Sequence, residues 1–246
     1  MKLKIVETSL NLRIERGHER MEYILPKMVA DKQLALLADV YCNVEFMECN
    51  NTKYLDSFKH AGYNIFSAVD DRQHRGVMYA VKKEYLVKEM ASMQNPHMLH
   101  IRISKDSHYV DVITFRILVA GGDAADYMDR KEQWDRVMAY VDGLDDKGHL
   151  VLIGDWNNGV ILDSYTEKDA NRFFNYQMIE KALNQRDIKL YGMEGTSFRG
   201  DWKLDHIASG DNINVLYAKY SEEFPIETSI IGVPDHKLII AELEYM

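Results

Sequence analysis

The sequence has few of the residues that mark several classes of protein. It contains only two cysteines, Cys42 and Cys49, and four prolines, which excludes a disulfide framework and a collagen-like or proline-rich chain. No Cys/His spacing is typical of a structural zinc site. Scarce cysteine favours a reduced compartment, so we expect a cytoplasmic protein. No run of about eighteen apolar residues is present, and residues 1–8 predict a strand rather than a signal peptide.

A net positive charge is also lacking. The net charge is −9, and the excess of acids lies in the second half of the chain, so the surface has no general basic footprint for duplex DNA. This acidity fits ordinary solubility, or a set of carboxylates that converge on a divalent cation. Apolar residues are plentiful, at 46%, and no repeat or linker divides the chain. We therefore predict a single domain over residues 1–246, with a monomer as the starting assumption.

Hydrophobic periodicity predicts alternating strands and helices. Strands are predicted at 2–8, 40–46, 63–69, 76–82, 98–104, 108–118, 150–153, 203–208, 213–219 and 237–244. Helices are predicted at 19–37, where Pro26 interrupts the pattern, and at 52–61, 126–144 and 169–185. Hairpins combined with helical crossovers imply mixed sheets flanked by helices.

Acids and amides stand where several predicted strands end. Asp155 and Asn157 follow strand 150–153 at a spacing of two, which places both side chains on one face of the strand's carboxyl edge. Such edges are where α/β proteins assemble ligand sites. The alternative is a turn closed by Asp and Asn side chains. Glu45 ends strand 40–46, and its alternative is a glutamate on a surface-facing edge.

Two further stretches repeat this pattern. Asp205 and His206 lie in strand 203–208, where a core histidine or a turn aspartate is the alternative. Asp235 and His236 follow Pro234 and precede the last strand, where a Pro-Asp turn is the alternative. Each signal is weak alone, but their order and spacing together point to one site.

In this order and spacing, the motifs resemble the endonuclease/exonuclease/phosphatase superfamily, the DNase I-like metal-dependent phosphoesterases, over nearly the whole chain. The stretches that carry the resemblance are Ser9-Leu10-Asn11-Leu12, Asn43-Val44-Glu45, Gly154-Asp155-Trp156-Asn157, Asp205-His206-Ile207 and Pro234-Asp235-His236. The resemblance implies an α/β four-layer sandwich, with two mixed β-sheets packed face to face and helices on the outer faces.

The largest departure from the family pattern is Arg116. Many relatives carry a histidine there, which acts on the phosphate or the leaving group, and this leaves the leaving-group acid unassigned. Arginine can bind phosphate oxygens in a fork but cannot readily supply a proton. The alternative is an arginine at the surface edge of a strand. Val44 and Pro234 also replace family residues, with little expected effect.

The resemblance also implies roles for the site residues. Glu45 would bind Mg²⁺ or Mn²⁺, with Asn11 nearby and Asp235 as a further contributor. His236, oriented by Asp205, would act as general base or pair with the phosphate. Asp155 would align or deprotonate the attacking water, and Asn157 would donate to a phosphate oxygen.

Three more residues are candidates for substrate binding. Trp202 and Lys203 resemble the aromatic and basic approach to the site in abasic-site nucleases of the superfamily, although core packing explains the tryptophan equally well. Arg75, in a predicted loop with Arg72 and His74, could bind a backbone phosphate, and a solvated loop is the alternative.

The sequence therefore predicts a divalent-metal-dependent phosphodiesterase, most simply a nuclease acting on DNA or RNA. One alternative keeps this chemistry but acts on a small phosphoester, such as an inositol or lipid phosphate, a nucleotide or a phosphotyrosyl adduct. The acidic second half favours that alternative over a duplex substrate. The other alternative is a binding protein that retains the fold without turnover.

Overall fold

The structure is a computed structural model that describes residues 2–11, 25–47, 52–71, 75–159, 170–199, 202–224 and 232–245. Strands β1 to β12 lie at Lys2–Ser9, Val40–Met47, Tyr63–Val69, Arg75–Lys82, Leu86–Met93, His97–Lys105, His108–Arg116, Leu150–Asp155, Lys189–Leu190, Asp205–Ser209, Ile213–Ser221 and Leu238–Tyr245. Helices α1 to α4 lie at Leu25–Leu34, Thr52–His60, Ala124–Asp142 and Tyr176–Asn184.

The strands form two six-stranded sheets. The first sheet has the order β11-β12-β1-β2-β4-β3, and the second has the order β5-β6-β7-β8-β10-β9. The pairs β1–β2 and β7–β8 are parallel, whereas the other neighbours are antiparallel. The predicted mixed sheets are therefore confirmed.

The two sheets pack face to face, with helices outside them. Alternate residues of β1 show this, because Ile5 belongs to the apolar layer between the sheets whereas Val6 packs on the outer side with α1 and α2. On the outer side of the second sheet, Trp134 of α3 and Ile179 of α4 belong to a third apolar cluster. The predicted four-layer sandwich is confirmed.

A tyrosine of the first sheet is bonded to the backbone of the second. The Tyr79 hydroxyl lies 3.0 Å from the Leu99 carbonyl oxygen and 2.9 Å from that of Val112, and it accepts the Thr114 N–H at 2.7 Å. Tyr79 is fully buried, so these bonds fix how the two sheets lie against each other.

Several predicted elements were wrong in detail. The helix predicted at 169–185 is a 3₁₀ turn, Ala170–Phe173, followed by α4. Asn175 separates them because its side chain accepts the Met178 N–H and caps the second helix. Strand β5 was not predicted, since most of its side chains are exposed or half-buried at the edge of a sheet.

The first predicted helix also differs. Pro26 lies in the first turn of α1, where a missing N–H costs no helical hydrogen bond, and α1 ends at Leu34 rather than residue 37. Residues 19–24 of that prediction lie outside the described residues. Among the described helices, none is long and apolar enough to cross a membrane.

The chain bends sharply where the predicted site residues leave their strands. Asn11, Glu45 and Asn157 have φ angles of 51°, 55° and 46°, a left-handed conformation that side chains other than glycine rarely adopt. Glu45 lies in a bulge of β2, between Asn43 and Phe46, and such a bulge redirects a side chain. At Gly154 (φ 145°), an added Cβ would stand 2.1 Å from the Phe115 carbonyl oxygen. Only glycine therefore allows β8 to approach β7 there.

Candidate active site

Asp205 and His236 form a buried ion pair that joins the two sheets. The His236 Nδ1 lies 2.8 Å from Asp205 Oδ2, and neither side chain is more than 9% exposed. Asp205 is held by its backbone: its N–H donates to Ser197 Oγ at 3.2 Å, and its carbonyl accepts the Tyr220 hydroxyl at 2.7 Å. The predicted pairing of His236 with Asp205, rather than with its neighbour Asp235, is what the structure shows.

The charge of this pair sets the protonation of His236. Burial lowers the pKa of His236, but the negative charge and hydrogen bond of Asp205 outweigh it and raise the pKa to about 10. Burial also raises the pKa of Asp155 to about 7, and the charge of Asp205 adds to this. Near neutral pH, His236 is thus an imidazolium, and Asp155 can both hold and release a proton.

Arg116 connects the second sheet with the first. Its Nε lies 3.2 Å from Asp155 Oδ2, and its Nη2 lies 2.7 Å from Glu45 Oε1. Arg75 reaches the same Glu45 oxygen at 2.6 Å. Arg116 is thus half-buried between two site carboxylates, which excludes the alternative of a surface-edge arginine.

The two predicted asparagines are fixed by their neighbours. Asn157 Nδ2 donates to Asp155 Oδ2 at 2.8 Å and to the Ile117 carbonyl at 2.9 Å. Asn11 Nδ2 donates to the Val233 carbonyl at 3.1 Å, so its amide oxygen points away from Val233. The segments that carry Asn11 and Glu45 lie side by side, because the Leu10 N–H donates to the Val44 carbonyl at 3.0 Å.

Of the remaining predicted residues, Trp202 and Asp235 lie near His236, whereas the side chain of Lys203 is bonded elsewhere. Trp202 forms a β-bridge with Phe198, whose ring lies 4.6 Å from that of His236, so the tryptophan is at the same edge. Lys203 differs, because its Nζ donates to the Met193 carbonyl at 2.6 Å. Asp235 is half-buried, and its charge also raises the pKa of His236.

Two predicted loop residues, Arg72 and His74, lie outside the described residues. Apart from Lys203, the other predicted site residues lie at one edge of the sandwich, where strands of both sheets end or begin.

Sequence reasoning missed a second His–Asp pair at this edge. His97 Nε2 lies 3.0 Å from Asp70 Oδ2, and both side chains are buried. The two residues belong to no motif that the sequence offers, and they come together only because the two sheets face each other.

Sequence reasoning also missed Glu7, although a signal was present. Period-two alternation in β1 puts Glu7 on the same inward face as Leu3 and Ile5. It is fully buried, and within the described part of the chain neither carboxyl oxygen has a hydrogen-bond partner. Burial, followed by the charges of Asp205 and Asp155, raises the pKa of Glu7 well above its ordinary value.

The comparisons with known proteins agree with this architecture. No family model matches the sequence, and no curated protein does. The structure is similar to D. rerio TDP2 in complex with a single-strand DNA product (TM-score 0.64, 13% identity, 99% of each chain covered). It is also similar to the endonuclease domain of TRAS1, a telomere-specific non-LTR retrotransposon (TM-score 0.63, 13% identity, 100% of this chain and 99% of that chain).

A third similar structure is an endonuclease/exonuclease/phosphatase from Beutenbergia cavernae (TM-score 0.66, 14% identity, 99% of this chain and 72% of that chain). The chain has the DNase I-like fold. The expected superfamily architecture is thereby confirmed at the level of the fold.

The acidic edge of this DNase I-like fold suits a small divalent cation. Asp155, Asp205 and His236 each offer one ligand atom, and these three atoms lie within 4.8 Å of one another. Asp205 Oδ1 is buried and has no hydrogen-bond partner among the residues described. Carboxylate oxygens are the ligands that Mg²⁺ and Mn²⁺ prefer, so Asp205 Oδ1 suits such an ion, whereas His236, which Asp205 holds protonated, does not.

We predict that Glu7→Gln stabilises the protein increasingly as the pH rises. Because the folded state raises the pKa of Glu7, its contribution to stability is complete below the unfolded pKa and is lost as the pH rises through the folded value. Glutamine removes this titration, so the variant should gain stability over wild type at high pH and little at pH 4. Urea unfolding at several pH values measures the difference. A gain that does not change with pH would show that Glu7 does not titrate on unfolding.

Proposed function

We propose that the protein is a divalent-metal-dependent phosphodiesterase that hydrolyses nucleic acid. The observation that carries this proposal is the alternation of charge at the sandwich edge, where Arg116 lies between the carboxylates of Glu45 and Asp155. Phosphodiester hydrolysis needs cationic groups for the phosphate oxygens and an acceptor for a proton of water. This edge holds both kinds of group within hydrogen-bond distance of each other.

The protonation states support a division of labour. With its raised pKa, His236 suits a role as a cationic phosphate donor better than that of a general base. Asp155 suits the base, because a pKa near 7 matches proton transfer at neutral pH. Arg116 would bind the non-bridging oxygens. The role predicted for Asn157 as a phosphate donor does not fit the structure, because both of its Nδ2 hydrogens are donated to Asp155 and to the Ile117 carbonyl.

A bound Mg²⁺ or Mn²⁺ would act as Lewis acid and template. A histidine ligates a metal only as neutral imidazole, and Asp205 holds His236 protonated. We therefore assign the ion to Glu45, Asn11 and Asp235, with Asp205 Oδ1 as a further donor. Glu45 anchors this set, because Arg75 and Arg116 fix its orientation.

Two considerations bear on the substrate. One structural neighbour is a complex with a single-strand DNA product, and Trp202 lies where a base of a single strand could stack. The net charge of −9 opposes binding of a duplex, whose affinity depends on basic contacts. We propose single-stranded nucleic acid as the substrate, with a small phosphoester as the alternative.

One set of assays tests the proposal. The purified protein is incubated with Mg²⁺ or Mn²⁺ on single-stranded DNA, plasmid, RNA and small phosphoesters. We expect cleavage of the single strand first. Turnover of small esters alone would support the alternative substrate, and tight binding without turnover would support a non-catalytic member of the fold.

The metal assignment gives a separate prediction. A chelator should abolish hydrolysis, and Glu45→Gln should raise the Mg²⁺ concentration for half-maximal activity by at least about tenfold, because it removes an anionic ligand. The matched control is Glu89→Gln, an exposed glutamate on β5, which should behave as wild type. An equal Mg²⁺ requirement in both variants would place the ion away from Glu45.

A further inference from the structure

The His97–Asp70 pair stands beside the phosphate-binding arginine. His97 begins β6 and Arg116 ends β7, and the two residues are direct partners in the antiparallel register. Directly opposed residues of an antiparallel pair project from the same face, with Cβ atoms about 5 Å apart. The imidazole and the guanidinium therefore share the inter-sheet side of this edge.

The two His–Asp pairs lie on either side of the centre of the site, and the sheet that supplies the histidine differs between them. His236 comes from the side of the first sheet and bonds to Asp205 of the second, whereas His97 comes from the second sheet and bonds to Asp70 beside the first. Along the second sheet the order is β6, β7, β8, β10. Arg116 of β7 and Asp155 of β8 thus lie between the two pairs.

This arrangement matches the geometry of displacement at phosphorus. The attacking and the leaving oxygen lie roughly in line on opposite sides of the phosphorus atom. A group that takes a proton from water and a group that gives one to the leaving oxygen must therefore stand on opposite sides as well. Asp155 and His97 lie on opposite sides of Arg116, on β8 and β6.

One ring nitrogen of His97 has a partner and the other does not. Nε2 is bonded to Asp70, whereas Nδ1 is buried and has no hydrogen-bond partner within the described ranges. A buried polar atom without a partner destabilises the folded protein. A ligand oxygen that arrives with the substrate would supply the missing partner.

We propose that His97 is a further catalytic residue, the acid that protonates the leaving oxygen, and that Asp70 orients its ring. This inference rests on the proposed function. The water oxygen forms a bond to phosphorus and gives its proton to Asp155, while the bond from phosphorus to the leaving oxygen breaks. The leaving oxygen takes the Nδ1 proton of His97, and solvent returns the proton from Asp155 to His97.

The groups that face His97 are Asp70, Arg116 and Arg75. Burial, followed by the charge of Arg116, lowers the pKa of His97, and the hydrogen bond and charge of Asp70 oppose this. A phosphate bound to Arg116 offsets the positive charge that disfavours the imidazolium. Substrate binding therefore favours the protonated form that the step requires.

The test compares two leaving groups in His97→Gln. The leaving group of a single-stranded oligonucleotide is a sugar alkoxide, which needs a proton. The leaving group of a thymidine para-nitrophenyl phosphodiester is nitrophenolate, which is stable without one. We expect kcat to fall about 10²–10⁴-fold on the oligonucleotide and less than about tenfold on the nitrophenyl ester. Asp70→Asn should show the same selective loss at smaller size.

His100→Gln is the matched control, because His100 is also buried on β6 and paired with an aspartate, Asp111, but contacts Tyr140 of α3 instead of the site. It should lose stability without any dependence on the leaving group. Equal losses on both esters in His97→Gln would overturn the acid role while leaving the proposed function intact. A wild-type protein that hydrolyses neither ester with Mg²⁺ or Mn²⁺ would overturn both proposals.

Discussion

Asp155→Asn should reduce kcat about 10²–10⁴-fold with little change in melting temperature. The loss follows from removing the proton acceptor for the attacking water. The melting temperature should hold, because asparagine resembles the protonated carboxyl that burial already favours at this position. In wild type, kcat/KM should rise with pH through about 7, the pKa of Asp155 in the free protein, and this limb should be missing in the variant.

The matched control for Asp155→Asn is Asp106→Asn. Asp106 is exposed in the turn between β6 and β7 at a φ of 56°, a conformation that asparagine also tolerates. It should retain the wild-type pH profile. A variant Asp155→Asn that hydrolyses the oligonucleotide as fast as wild type would remove Asp155 from the mechanism.

Asp205→Asn should make His236 neutral at pH 7 and lower kcat/KM about 10²–10⁴-fold. Without the Asp205 charge, burial is the largest influence left on His236, and its pKa should fall from about 10 toward or below its usual range. With a lowered pKa, the His236 ring would become cationic only at low pH. Activity relative to wild type should thus recover in part near pH 5.5.

Titration of the His236 ring by NMR measures this shift directly. Asp146→Asn is the matched control, since Asp146 bonds to His149 at 2.7 Å in a pair that does not belong to the site. It should leave His236 unaffected. If His236 kept a pKa near 10 in Asp205→Asn, another group would have to hold its proton.

Much of the site could be predicted from sequence because strand ends have a local signature. Asp155 and Asn157 follow an apolar run at a spacing that fixes their common face, and Asp205 and His236 precede or interrupt such runs. Period-two alternation likewise predicts most of the strands. These are properties of short segments, so they survive without knowledge of the rest of the chain.

The parts that could not be predicted depend on contacts between distant segments. Asp70 and His97 are 27 positions apart and meet across two sheets, so neither has a local signal. The protonation state of His236 could not be predicted either, because burial and Asp205 shift its pKa in opposite directions. Edge strand β5 lacked the apolar alternation that a half-buried strand would show.

The bonds from Tyr79 to the backbone of the second sheet have a consequence for how this chemistry can fail. In each His–Asp pair, one residue lies on the side of the first sheet and the other on the side of the second. Both pairs therefore depend on the hydrogen bonds by which Tyr79 holds the two sheets together in the core. A slip of the sheets by one residue, about 3.4 Å, would separate both pairs at once. A substitution at Tyr79 could therefore abolish activity even though every residue that contacts the phosphate is unchanged.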